Sequence, residues 1–194
     1  MTYGYCQDYH LSIVTPPAIE PITLDQALAH CHANSGVEDN WFIDQIKTVR
    51  QDAELFMRRA FIEQTLRVTF DTLPNFPILL PRPPLIEIES VTFYDLEDSS
   101  TAVDIADLLI DTFSNPGRFT INSGVSLPSV SLREINSIVI QYKAGYGSSA
   151  DDVPRNIKQA MLLQLGYFYE CRSGEAKDIT QQYENLLNRQ RIYL

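Results

Sequence analysis

The sequence has no long apolar run, few cysteines and no recognisable export segment. No apolar stretch approaches the roughly 20 residues that a membrane-spanning helix needs, so we expect no contact with a membrane. The three cysteines, Cys6, Cys31 and Cys171, are odd in number and widely spaced, which argues against a secreted disulfide framework and favours reduced thiols. The N-terminus has no basic segment leading into an apolar run, and we therefore expect the chain to begin and stay in the cytosol.

Positive charge is also scarce. The 15 Lys and Arg residues stand against 25 Asp and Glu residues, which gives a formal net charge of −10. A protein that grips nucleic-acid phosphates normally presents a basic face, so this balance disfavours a DNA-binding regulator. An acidic protein could still lie beside DNA and repel it, but acidity is just as typical of proteins that only need to be soluble.

The remaining composition is that of an ordinary folded protein. Hydrophobic residues make up 44% and charged residues 21% of a chain of 194 residues, which is enough for one substantial core.

Two helical patterns come first along the chain. Thr23 and Gln26 have the spacing of a capping box ahead of an apolar repeat over residues 24–31. A longer helix from Asp39 has one apolar stripe, formed by Phe42, Ile46, Val49, Ala53 and Phe56.

Between these helices and the last one, the pattern changes to alternation, which indicates β-strands. We predict an antiparallel β subdomain over residues 63–147, because several prolines there interrupt helix formation. Its strands are predicted at 64–70, 78–80, 85–94, 108–112, 118–121 and 137–143. Residues 1–21, ahead of the first helix, have no sustained period and are predicted to be an extended arm that can pack on a neighbour.

The subdomain leads back to a helix through a glycine turn. Gly145 and Gly147 supply the backbone freedom for this turn, and Pro154 suits the first turn of a helix. We therefore predict an α+β fold with a small helical bundle, an inserted antiparallel β subdomain and a C-terminal tail. The bundle takes residues 22–62 and 153–174, and the tail takes 175–194.

Three patterns were weighed as chemical sites. His30, Cys31 and His32 are metal-ligand types, but adjacent helical positions point about 100° apart and do not converge on one ion. The Gly145 turn lacks the Gly-Lys-Ser/Thr ending of a phosphate loop. Glu87 and Glu89 share one face of a strand and could act as paired carboxylates in a hydrolase or carbohydrate-active domain, although a solvated strand face is the simpler interpretation. We predict no catalytic residues, no cofactor and no metal.

The end of the chain combines positive charge with apolar character. Arg189, Arg191, Tyr193 and Leu194 form a locally basic, partly apolar segment on an acidic protein. Such a segment can dock on an acidic partner, or it can be a frayed terminus. We treat these four residues as a candidate partner-binding site.

Four segments together resemble the tailed-phage head–tail connector (adaptor) proteins. They are PITLDQA at 21–27, LPRPPL at 80–85, YKAGYG at 142–147 and VPRNIKQA at 153–160. The resemblance covers roughly residues 20–172 and rests on the joint order of these segments.

This resemblance implies a structural protein of the virion, assembled in the cytoplasm of the bacterial host. It would form a ring of twelve copies of itself beneath the portal protein and join it to a stopper or tail-completion protein, while double-stranded DNA passes without sequence-specific binding. The family also implies that the tail, residues 175–194, contacts the portal. We therefore expect that removing the tail abolishes portal binding and leaves the fold intact.

Overall fold

In a computed structural model, the chain is described over residues 8–125, 131–171 and 181–193. Over these residues it is an α+β protein with four α-helices and two antiparallel sheets, which confirms the predicted fold class. No helix in the described ranges has the length and apolarity needed to cross a membrane. The chain divides into a β unit, comprising Met1–Pro16, Glu63–Gly145 and Tyr193–Leu194, and a helical unit, comprising Pro17–Ile62 and Tyr146–Ile192.

The helical unit contains all four helices. They are α1 (Leu24–Cys31), α2 (Asp39–Met57), α3 (Arg155–Glu170) and α4 (Gln181–Asn188). At the start of α1, the Thr23 hydroxyl oxygen accepts a hydrogen bond from the Gln26 amide at 3.2 Å, and the Gln26 side chain accepts one from the Thr23 amide at 3.0 Å. This reciprocal cap satisfies two amides that the helix leaves unpaired, an arrangement worth about 0.5–2 kcal/mol.

One apolar core holds the helical unit together, and every helix contributes to it. The helices α1 and α2 meet α3 in this core, as the apolar stripes of the sequence predict. Its buried members include Ala27 and Leu28 of α1, Phe42, Ile46, Val49, Ala53 and Met57 of α2, Ile157, Ala160, Met161 and Leu165 of α3, and Tyr183 and Leu187 of α4. Because side chains of all four helices fill it, no helix is a dispensable addition.

The sequence pattern placed Arg50 outside the apolar stripe of α2, but the structure buries it. Its guanidinium donates to Glu20 and to Glu54, each at 2.7 Å. The second carboxylate oxygen of Glu54 accepts a hydrogen bond from the Phe61 amide at 2.8 Å. Burial of these charges is tolerated because each finds a hydrogen-bonded partner. The cluster ties α2 to the segment before α1 and to the chain that follows α2.

The larger sheet of the β unit has five antiparallel strands in the order β1-β2-β8-β4-β5. Its buried face consists of three rows that run across the central strands β2, β8 and β4. The rows are Leu66–Tyr142–Ile88, Val68–Ile140–Val91 and Phe70–Ile138–Phe93. The strands are β1 (His10–Thr15), β2 (Gln64–Phe70), β4 (Leu85–Tyr94), β5 (Ser100–Val103) and β8 (Ile138–Ala144).

A smaller sheet has three strands in the order β3-β7-β6. They are β3 (Ile78–Leu79), β6 (Leu108–Asp111) and β7 (Arg118–Ile121), and β6 and β7 form the hairpin that the sequence predicts. Just before β7, a Cβ on Gly117 would lie 2.4 Å from the Cβ of Leu85. The chain therefore needs glycine here, because the loop approaches the start of β4 too closely for any side chain.

Two parts of the fold differ from the sequence-based expectation. Within the predicted arm, residues 10–15 form β1, which pairs with β2 of the same chain through Leu11 opposite Val68 and Ile13 opposite Leu66. Within the predicted tail, residues 181–188 form α4. In both places long-range packing decides the structure: β1 is stabilised by the neighbouring strand, and α4 by the helical core.

Candidate functional site

The paired carboxylates Glu87 and Glu89 lie on the polar face of the five-stranded sheet. Lys143 of β8 is 2.7 Å from the Glu87 carboxylate and 3.8 Å from that of Glu89. Glu89 also accepts a hydrogen bond from the Gln141 side chain at 2.7 Å. The hydrogen bond to Glu87 raises the pKa of Lys143, which keeps the cation charged between the two acids. This is an ion-paired sheet surface, whereas a general acid needs an environment that favours its protonated form.

The glycine turn lies where the chain passes from the β unit to the helical unit. Gly145 has a φ of 141°, a region that favours glycine. A Cβ on Gly147 would lie 2.2 Å from a carboxylate oxygen of Asp152, and Asp152 forms a reciprocal cap with Ser149 on a short 3₁₀ turn. Pro154 then occupies the N-cap position of α3. The glycines of this segment therefore allow the chain to turn, and the Asp152 carboxylate caps the short 3₁₀ turn.

The His30-Cys31-His32 segment lies at the end of α1. His32 is the C-cap residue, with a left-handed φ of 51°, and His30 packs so closely on α3 that a Cβ on Gly166 would lie 3.2 Å from its Nε2. Among the residues that the structure describes, no group of three His, Cys, Asp or Glu side chains is placed to hold a metal ion.

The C-terminal segment folds back onto its own helical unit. The amide of Ile192 donates to the carbonyl of Met57 at 3.0 Å, and the hydroxyl of Tyr146 bonds the Gln190 side chain at 3.0 Å. Tyr183 and Leu187 lie in the core. The expectation that the whole tail can be removed without loss of the fold therefore conflicts with the packing, because deletion would expose this core.

The candidate partner-binding residues follow α4. Arg189 is exposed, and 74% of Tyr193 is accessible to solvent. Arg191 is half-buried, with its guanidinium over the ring of Phe56. Leu194 lies outside the described residues. Arg189 and Arg191 thus both lie just after the end of α4, at Asn188. Their role in partner binding stays a prediction.

The loops of the β unit carry a concentration of negative charge. Residues 95–111 contain six carboxylates and no Lys or Arg, in the order Asp95, Glu97, Asp98, Asp104, Asp107 and Asp111. Several of them stabilise turns, since Asp95 accepts hydrogen bonds from the amides of Glu97 and Ser99. Six of the chain's 25 acidic residues thus lie between the end of β4 and the end of β6.

One exposed residue was missed by the sequence analysis. Phe113 lies in the turn between β6 and β7, and 95% of its surface is accessible, more than for any other large hydrophobic residue in the described ranges. The sequence signal was the turn Ser114-Asn115-Pro116-Gly117, which predicts a reversal of the chain but does not tell whether the preceding aromatic points inward or outward.

No protein-family model and no curated protein matches this sequence. Its fold is nevertheless similar to chains in solved particles. One is from the neck of an empty gene transfer agent (GTA) particle, computed with C6 symmetry, with a TM-score of 0.80 and 19% identity over 95% of this chain and 96% of that chain. A chain in the virion of a native GTA particle has a TM-score of 0.79 with the same identity and coverage.

A chain in the neck of the native GTA particle, computed with C12 symmetry, has a TM-score of 0.71, again at 19% identity and with 95% and 96% coverage. Because nearly the whole of each chain is covered, the likeness includes both the helical unit and the β unit. At this level of identity it establishes a shared fold.

Proposed function

We propose that the protein is a structural component of the neck of a tailed phage or phage-like particle, located in the virion between head and tail. The observation that carries this proposal is the match of nearly the entire chain to neck proteins, with a TM-score of 0.80 over 95% of its length. A match of this extent covers nearly the whole chain, so the likeness is more than that of a single shared motif.

The finer assignment is a head–tail connector. In this role, twelve copies form a ring beneath the portal protein and present their other side to a stopper or tail-completion protein. The C12 symmetry of one neck with this fold supports the copy number. The segments that resemble the connector family support the position under the portal, and Arg189, Arg191, Tyr193 and Leu194 are proposed to contact a partner there.

The charge of the chain suits a ring through which DNA moves. Each copy has a formal charge of −10, and residues 95–111 concentrate six carboxylates in one stretch. Carboxylates repel DNA phosphates, so a channel wall of this composition lets a duplex pass without holding it. The DNA is then a passing cargo, with no base-specific contact.

Electron microscopy of the protein co-expressed with the portal of its own particle tests this function. We expect the images to show portal particles that carry an additional ring of this protein, whereas portal expressed alone carries no such ring. If the portal particles carry no added density in the presence of excess protein, the connector role is wrong.

A further inference from the structure

The hairpin β6–β7 has a tip that is held rigidly although it is exposed. The carboxylate of Asp111 accepts hydrogen bonds from the amides of Phe113 and Ser114, at 3.0 and 3.1 Å, and from the Ser114 hydroxyl at 2.6 Å. The Arg118 guanidinium donates to the same carboxylate at 3.0 Å. These bonds fix the backbone of the turn, so Phe113 is presented on a preorganised support.

Rigid presentation of an aromatic ring is typical of a binding anchor. Burying such a side chain is favourable because it removes a large apolar surface from water, and a support that is already ordered reduces the entropy lost on association. Aromatic residues of this kind commonly dominate the energy of an interface. The 95% exposure of Phe113 leaves its entire ring available for burial by a partner.

The same small sheet carries an apolar groove of about 360 Å³. Its apolar lining comes from Phe76, Pro77, Leu109, Ile110 and Phe119. Phe76 and Phe119 meet edge to face, with ring centroids 6.5 Å apart, and the Asp111–Arg118 ion pair forms a polar border. An apolar floor with aromatic edges and a polar rim is the lining that suits an incoming aromatic ring.

The chain's own Phe113 does not fill this groove, because nearly all of its surface is in solvent. We propose that Phe113 of one copy inserts into the groove of the next copy and that this contact joins neighbours in the ring. The proposal rests on the ring assembly given under Proposed function. If each copy inserts its ring into the groove of the next copy in one direction, the contact is head-to-tail, which is the kind that closes into rings. The C6 and C12 symmetry of two necks that contain chains with this fold is compatible with a repeating contact of this kind.

The first test compares Phe113→Asp with Leu96→Asp in ring assembly on purified portal. Leu96 is a matched control, since it is 63% exposed in another turn of the β unit. Phe113→Asp should weaken the association between copies by roughly tenfold or more, because a charge replaces the buried ring. Leu96→Asp should assemble like the unmodified protein. Complete rings with Phe113→Asp would overturn the proposal.

The second test locates the contact by disulfide formation. Thr120 also lines the groove and Thr112 is adjacent to Phe113, so a Thr112→Cys protein, which keeps the Phe113 ring, mixed with a Thr120→Cys protein should form covalent pairs on the portal. The double variant should form a ladder of linked copies. A Leu96→Cys protein with Thr120→Cys serves as the control and should not link.

These experiments separate the contact from the function. If the unmodified protein does not assemble on the portal, the connector role fails before the contact is examined. If it assembles but Thr112→Cys and Thr120→Cys do not link, the proposed contact is wrong and the connector role stands. If Phe113→Asp forms full rings that no longer retain a tail-side protein, Phe113 contacts that protein, and its insertion into a neighbouring copy is excluded.

Discussion

The guanidinium of Arg191 lies over the ring of Phe56, with its carbon 4.4 Å from the ring centroid. This contact places the end of the chain on α2, one residue before the amide of Ile192 bonds Met57. A cation over an aromatic face is worth about 0.5–1 kcal/mol at an exposed site. Residues 181–192 are thus part of the helical unit, and a test of a binding role for this part of the chain has to preserve its packing.

The packing of α4 gives a prediction about stability. Leu187→Ala should lower the free energy of unfolding by about 2–5 kcal/mol, because it empties a fully buried position. Leu55→Ala on α2 is the control, since Leu55 is 63% exposed and should change stability by less than about 0.5 kcal/mol. Urea denaturation measures both. Equal stabilities for the two variants would show that α4 does not pack in the core.

The buried ion cluster gives a second prediction. Arg50→Met should destabilise the protein by about 3–5 kcal/mol, because it leaves the buried Glu54 carboxylate without its cation. Lys47→Met provides the comparison on an exposed face of the same helix, with an expected change of less than about 0.5 kcal/mol. Thermal or urea unfolding measures the stability of both variants. An Arg50→Met protein as stable as the unmodified one would show that the buried ion cluster does not stabilise the fold.

The paired carboxylates of the sheet predict the absence of hydrolysis. Glu87 and Glu89 are bound by Lys143 and Gln141, so the double variant Glu87→Gln, Glu89→Gln should have the same lack of hydrolytic activity as the unmodified protein. Its stability should change by less than about 1 kcal/mol, since exposed ion pairs contribute little. Assays on a panel of glycoside and ester substrates check this. Activity that is present in the unmodified protein and lost in the variant would favour the enzyme.

The hairpin tip gives a prediction about pH. Hydrogen bonds from Ser114 lower the pKa of Asp111 from 3.8 to about 2. A lowered pKa means that the carboxylate stabilises the turn above pH about 4 and that this stabilisation is lost as the pH falls towards 2. The amide NMR signals of Phe113 and Ser114 should therefore shift with a midpoint near 2. A midpoint near 3.8, or an unchanged titration in Asp111→Asn, would contradict the hydrogen-bonded tip.

The sequence predicted the helices and strands that are marked by capping residues or by an apolar repeat within a single segment. The capping box at Thr23, the apolar stripe of α2 and the alternation from Leu85 to Tyr94 each correspond to an observed element. The helical patterns succeed because one face of each helix is buried. In β4 two register shifts break the alternation, and the buried positions are Leu85, Ile88, Val91 and Phe93.

The missed features depend on partners that are distant in the sequence. β1 is mostly exposed and is a strand because β2 pairs with it. α4 has few apolar residues, and Tyr183 and Leu187 become informative only when the core they enter is known. The exposure of Phe113 depends on the hydrogen bonds of Asp111, which a turn signal does not specify. The candidate interface was therefore accessible only from the structure.

The proposed ring on the portal can be counted by native mass spectrometry of purified portal mixed with excess protein, because the mass of the complex gives the number of bound copies. We expect one species, the portal carrying twelve copies of this 22.1 kDa chain. A portal that keeps its own mass while the protein remains an unbound monomer would contradict it.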